Sequence, residues 1–235
     1  MEILKNCKIY PLSKFYKPNY QYYQLPPGIK PNENLDTSKI SKLHLIEYGF
    51  EITPLKRSLL TTMLMMEDVG NVLIIDIVSI WLGTIEMMNM KQKKKINYLN
   101  CISNIKELNN FLSQLIETPI VALRRCQQFE NVDEVIQRRL DGIFIDNVSY
   151  LQDFNEDQKG NSQMYDELNK MIRKVREVFG CWVVSISYGN EYYEGVEGCL
   201  NVKSHSISGV PISFLNGMDM IVLRESEGMG RVIRS

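Results

Sequence analysis

The sequence predicts an α/β fold in which a mainly parallel central sheet is flanked by helices. Short continuous apolar runs, such as Gly142–Ile145 and Cys181–Ile186, suit strands buried on both faces. Segments with apolar residues at helical spacing lie between such runs, and that alternation marks parallel strands joined by crossover helices. The chain has 235 residues, of which 44% are hydrophobic and 23% charged, enough for a packed core in one α/β domain.

From the N-terminus, Glu2–Leu12 reads as a short strand broken at Pro11. Phe15–Ile29 is rich in Tyr and Pro and makes poor helix material; it reads as an extended segment wrapped over a core, with an interaction site as the alternative. Lys30–Lys42 is polar and loop-like, so residues 1–42 form an N-terminal strand and extended segment and residues 43–235 the core domain. Leu43–Glu47 is a strand and Gly49–Thr53 a loop. Thr53-Pro54 starts a helix, because Thr can cap and Pro suits the first helical position; Leu55, Leu59, Met63 and Met66 then recur at helical spacing.

Val72–Ile80 is the second core strand and Lys91–Lys95 a basic loop. Ile102–Ile116 is helical, as are Pro119–Gln127 and Val132–Arg139; Gly142–Ile145 is the third strand, ending at Asp146. Met164–Phe179 is the clearest helix, with Leu168, Ile172 and Val175 on one face and Gly180 to stop it. Cys181–Ile186 is the fourth strand. Gly189–Asn216 is long, rich in Ser and Gly, and weakly periodic, and Met218–Leu223 with Gly230–Ile233 reads as a closing pair of strands.

Charge and cysteine usage exclude several classes. Lys and Arg number 27 against 28 acids, so no whole-molecule field attracts nucleic acid, and any DNA contact must come from a local patch. The 5 cysteines (Cys7, Cys101, Cys126, Cys181, Cys199) are far apart, without CxxC, and His44 and His205 are the only histidines; neither a disulfide framework nor a zinc site is expected. Lys5, Lys8 and Pro11 interrupt any signal-like run, and Val72–Trp81 holds Asp76 and is too short to span a bilayer. The expectation is a soluble intracellular protein with no membrane association.

Ligands of such sheets sit at the carboxyl ends of the strands. There, the strand, glycine-led loop and helix around Gly49 have the layout of the phosphate-binding loop GxxxxGK(S/T). Laid on Gly49, that spacing puts Pro54 at the second glycine, Leu55 at the lysine and Lys56 at the Ser/Thr. Pro54 has no N–H to offer a phosphate, and Leu55 supplies no charge. Lys56 cannot replace the lysine, since one helical residue turns a side chain by about 100°, and it stands where a magnesium-ligating hydroxyl is needed. Glu51 adds negative charge inside the would-be nest. Asp146 lies where a metal-binding acid of such an ATPase would sit, although a lone acid at a strand end is as often a loop hydrogen-bonder. After Asp76, Val78 brings no carboxylate to activate a water, and Ser187 and Tyr188 take the place of a polar sensor pair. No Ser/His/Asp or Cys/His set replaces these groups, so no catalytic residue, metal or cofactor is expected.

Met1–Phe15 (MEILKNCKIYPLSKF), Leu73–Trp81 (LIIDIVSIW), Ala122–Gln127 (ALRRCQ), Asp141–Leu151 (DGIFIDNVSYL), Gly180–Val183 (GCWV) and Gly217–Ile221 (GMDMI) resemble, in order and across nearly the whole chain, the platinum-sensitivity family of the yeast Shu complex. More distantly the chain is similar to the RecA-type recombinase core. The resemblance implies a RecA-like core with a degenerate P-loop and no ATPase activity. It implies a heterodimer with the chromosome-segregation-in-meiosis subunit that binds DNA, joins the other Shu subunits and promotes recombinase filament assembly in error-free repair, in the nucleus. One departure stands out: the family carries a basic cluster just before Ser-Gly-Val, whereas here His205, Ser206 and Ile207 precede Ser208-Gly209-Val210, and only Lys203 is basic nearby.

Three clusters offer cations for phosphate contact. Lys91, Lys93, Lys94 and Lys95 form the densest, with a solvated loop as the alternative. Arg124-Arg125 lies on an expected helix and fits a solvated or ion-paired face. Lys203 with His205 lies where recombinases place a second DNA-binding loop. The counterpart of the first such loop, Gln152–Gln163, is acidic and is discounted, while Tyr188, Tyr192 and Tyr193 could stack on bases or pack in an interface. Three functions compete: a DNA-binding assembly subunit, a purely structural bridge without DNA contact, and a surviving ATPase that only Asp146 and the fold support.

Overall fold

The computed structural model describes residues 18–31, 36–49, 51–129, 139–152, 158–189, 208–226 and 228–234. The chain enters with β1 (Ile29–Lys30), a 3-10 turn at Thr37–Lys39, β2 (Lys42–Glu47), α1 (Pro54–Met65) and β3 (Asn71–Asp76). Two short helices, α2 (Leu82–Met87) and α3 (Met90–Lys93), lead to β4 (Ile96–Leu99), α4 (Ile105–Glu117), α5 (Pro119–Leu123) and β5 (Gln127–Gln128). Then come β6 (Leu140–Asp146), a 3-10 turn at Val148–Leu151, α6 (Gln158–Phe179), β7 (Trp182–Tyr188), α7 (Ile212–Asn216), β8 (Met220–Ser226) and β9 (Met229–Arg234).

The strands form a 9-stranded sheet in the order β1-β9-β8-β2-β7-β6-β3-β4-β5. From β8 to β4 all neighbours are parallel, and antiparallel pairing enters only where β9 meets β8 and β5 meets β4. The mainly parallel sheet expected from the apolar runs is therefore present.

The period of two along each strand explains why those runs are continuous. Val72 and Ile74 of β3, Phe144 of β6, and Val184 and Ile186 of β7 face one core with Leu55, Leu59 and Met63 of α1. Leu73, Ile75, Ile143, Ile145 and Val183 face the other with Leu108 and Phe111 of α4 and Leu168, Ile172 and Val175 of α6. Tyr23 and Ile29 join the α1 core, so the extended segment before β2 is packed over it. Gly142 admits the indole of Trp182 from the next strand: a Cβ there would lie 2.0 Å from the ring. Gly180, at φ +69°, stops α6, and its N–H reaches Arg176 O at 2.8 Å.

Several expectations change. The second core strand ends at Asp76 rather than Ile80, because the chain turns there and Ser79 takes φ 57°. Lys91–Lys95 is not a loop: α3 takes Lys91 and Lys93, capped by Asn89, whose side chain accepts from Gln92 N. β4 lay hidden behind that lysine run, since a four-residue strand holding Asn97 presents little apolar signal. Helix α6 starts at Gln158, inside the expected Gln152–Gln163 loop, and α7 lies inside the expected Gly189–Asn216 loop. The expected Glu2–Leu12 strand and residues 132–138 of the expected Val132–Arg139 helix lie outside the described residues, as do Lys203, His205, Tyr192 and Tyr193. Among the described residues no helix is long and apolar enough to cross a membrane.

Candidate functional site

The carboxyl ends of β2, β6 and β3 converge on the start of α1, and the residues there hold one another. Thr53 caps α1 by accepting from Lys56 N at 3.2 Å, while its hydroxyl donates to Glu47 Oε1, at the end of β2, at 2.6 Å. Pro54 sits in the first turn, as the Thr-Pro pair predicts. The other Glu47 oxygen lies 2.7 Å from Arg224 Nε of β8, a charge pair rather than an aligned hydrogen bond.

Lys56 points inward and is fully buried. Its Nζ lies 3.1 Å from Asp146 Oδ2 and 3.5 Å from Oδ1, at the end of β6. Asp146 Oδ2 also accepts from the Trp81 indole N–H at 2.9 Å. One strand over, Asp76 Oδ2 accepts from Trp81 N and from the Tyr98 hydroxyl, each at 2.7 Å. Burial pushes the Asp146 carboxyl up, against the pull of Lys56 and of the indole bond. Burial likewise pushes Glu47 up, against Thr53, Arg224 and Lys56. Burial and the bond to Asp76 raise the Tyr98 hydroxyl.

In the GxxxxGK(S/T) layout Lys56 holds the place of the hydroxyl, and Asp146 that of the acid, which together grip a magnesium ion. Here a tethered ammonium bridges the two places directly. A nucleotide–metal pair would have to displace a charge fixed to α1, and the peptide of Pro54 has no N–H to receive a phosphate. Gly49 has open space where a Cβ would lie. Leu55, at the place of the phosphate-binding lysine, is buried in the α1 core.

From the sequence Lys56 has no expected partner, and Asp146 is either a metal-binding acid or a loop hydrogen-bonder; the structure joins the two. A signal for Lys56 existed. It lies four residues before Leu60 and seven before Met63, on the buried face of α1. Glu47, Trp81, Tyr98 and Arg224 carried no signal, because their roles depend on strand order.

The lysine run splits. Lys91 is exposed and stands 3.7 Å from Glu67, and Lys93 is half-buried on the same short helix, with Lys94 exposed just beyond. Lys95 does not belong with them: it is only 8% exposed, and its ammonium donates to Leu64 O at 3.1 Å and to Met66 O. It closes the last turn of α1, whose carbonyls have no helical partner, and burial holds its pKa down. Arg124 and Arg125 are not on a helix: Arg124 caps the end of α5 and Arg125 follows in the turn, where it lies over the Phe111 ring at 5.6 Å and donates to Gln114.

A family model described as "Shu complex component Psy3, DNA-binding description" matches residues 7–227. Platinum sensitivity protein 3 of Saccharomyces cerevisiae is 38% identical, over 96% of this chain and 93% of its own. Among solved structures, the RadB recombinase superposes with a TM-score of 0.52 over 85% of this chain and 82% of its own; at 12% identity that likeness is one of fold.

Proposed function

Because the chain belongs to the Psy3 family of Shu complex components, we propose that it is a non-catalytic, DNA-binding assembly subunit of that complex. It pairs with the chromosome-segregation-in-meiosis subunit, joins the other Shu subunits, and promotes recombinase filament assembly during homologous recombination and error-free repair in the nucleus. The observation that carries this reading is the buried Lys56–Asp146 pair at the centre of a RecA-like nucleotide site. A subunit whose site is filled by its own lysine works through surfaces, not turnover.

Two measurements test it. Labelled ATP with magnesium should show no saturable binding to the heterodimer, and micromolar affinity would overturn the non-catalytic reading. Salt titrations of DNA binding by the heterodimer test the surface. Replacing Lys91, Lys93, Lys94 and Lys203 by Ala should weaken binding and flatten the salt slope by about 0.9 per lost phosphate contact on duplex. Unchanged affinity and slope would remove these residues. Near-balanced charge favours the second reading, a structural bridge; DNA crosslinks confined to the partner subunit would select it.

A further inference from the structure

The segment before β1 and the last turns of α6 border a cavity of about 480 Å³. Tyr20 and Tyr22 line it from the segment, and Arg173, Arg176 and Glu177 from the helix. Ser41 and Asp219, which also line it, stand just before the amino ends of β2 and β8. Since β2, β7 and β6 are parallel, this cavity lies at the end of the sheet opposite the Lys56–Asp146 pair.

The two tyrosines are held in place. Gln21 N–H donates to Gly180 O at 2.7 Å, and Tyr23 N–H to Ile40 O at 2.6 Å. Tyr23 is turned into the core, while Tyr20 and Tyr22 stay 44% and 40% exposed. Gly180 lets the segment lie against the end of α6, since a Cβ there would come within 2.8 Å of Asn19 O. The Arg176 guanidinium lies over the Tyr20 ring at 5.5 Å, and its Nε donates to Cys181 O at 2.9 Å. Ring and cation therefore steady each other.

The uncompensated charge of this cavity is positive. Asp219 is already engaged: it accepts from Ser41 N and Lys42 N and lies 3.5 Å from Lys42 Nζ. Lys39, also on the lining, lies 3.7 Å from Asp36. Arg173 and Glu177 are exposed, and among the described residues neither has an ion-pair partner. Arg173 and Arg176 thus face Glu177 alone. Tyr and Arg side by side in a concave site are the residues that anchor protein–protein contacts. A run of phosphates would meet the carboxylates of Glu177 and Asp219, which repel it. A peptide brings N–H donors for those carboxylates together with an acid for the arginines.

We propose that this cavity docks an acidic segment of a protein partner, with a carboxylate against Arg173 and Arg176 and an apolar side chain against Tyr20 and Tyr22. The proposal rests on the assembly reading above and adds a docking face to it. The occupant is a further protein, bound while the paired subunit is in place.

The probe is a random peptide library displayed on phage, selected on the wild-type heterodimer and counter-selected on an Arg173→Glu heterodimer. Selected peptides should be rich in Asp and Glu beside an aliphatic or aromatic residue. In fluorescence anisotropy, a synthetic copy should bind Tyr22→Ala about tenfold more weakly, the scale of one lost anchor. Changing its acids to Asn and Gln should weaken it as much, a comparison that needs only the wild-type protein. No enrichment, neutral or basic peptides, or equal binding to Tyr22→Ala overturns the proposal. Displacement of the peptide by oligothymidine would make the cavity a nucleic-acid surface and overturn it. Loss of the paired subunit from Arg173→Glu would make it part of that pairing and overturn it too. A chain that forms no heterodimer overturns the assembly reading alone, and the same selection on the chain by itself then decides the docking site.

Discussion

Lys56 and Asp146 are each fully buried, and each justifies the other. Removing one leaves an uncompensated charge in the core, so Lys56→Met should destabilise the chain by about 3–5 kcal/mol, and Asp146→Asn should also cost stability. Lys56→Met with Asp146→Leu should recover much of the loss, since an apolar pair of similar volume avoids desolvation altogether. Urea denaturation of the single and double variants checks this; additive losses would refute the coupling. His44 is a second buried polar residue, with its ring nitrogens 2.8 Å from the Ser185 and Ser187 hydroxyls. Burial pushes its pKa down from 6.5 to about 3. Below pH 6.5 the unfolded histidine takes up a proton that folded His44 refuses until near pH 3, so stability drains away as pH falls through that window. The contribution is at most about 1.4 kcal/mol per pH unit. Measured against His44→Gln between pH 6 and 4, the wild type should lose stability more steeply; parallel curves would show that the histidine titrates normally.

At the scale of elements, α1 and the β6–β7 pair are the sensitive joints. Thr53 serves α1 as its cap and β2 as the donor to Glu47, so Thr53→Ala should cost more than an ordinary cap, about 2 kcal/mol by chemical denaturation. Thr53→Ser, which keeps the hydroxyl, should cost much less. Gly142→Ala would drive a methyl into the Trp182 indole and force β6 from β7, a loss of about 3 kcal/mol. Trp182→Phe in the same chain should relieve part of it, and a Gly142→Ala protein as stable as wild type would show that the sheet yields. Strands β2, β3, β6 and β7 were legible beforehand because both of their faces are buried, which writes a continuous apolar run. β1 and β5 have two residues each, too few for any pattern, and exist only because a neighbouring strand supplies the ladder.

Across the whole molecule, one sheet separates two cores and gathers its parallel strand ends at one rim. That rim carries the buried Lys56–Asp146 pair and, over the ends of β6, β3 and β4, the uncharged cavity beside Tyr150. Since a ligand bound only by the folded state stabilises by about 2.7 kcal/mol at a hundredfold excess over its Kd, a micromolar ATP site would lift the melting temperature by several degrees. Millimolar magnesium–ATP should leave it unchanged in a thermal melt; a shift of several degrees would show that Lys56 gives way.

The sequence by itself determined the alternation of strands and helices, the cap and proline that start α1, and the glycine that ends α6. These are local properties: each depends on residues within a few positions of one another. Tertiary structure alone decided that Lys56 meets Asp146 across 90 residues, that Lys95 turns inward to the end of α1 while Lys91 stays in water, and that Tyr150 borders a cavity built from three separate turns. A side chain's charge, exposure and partners follow from which distant segment packs against it, and that is set by strand order rather than by neighbours in sequence.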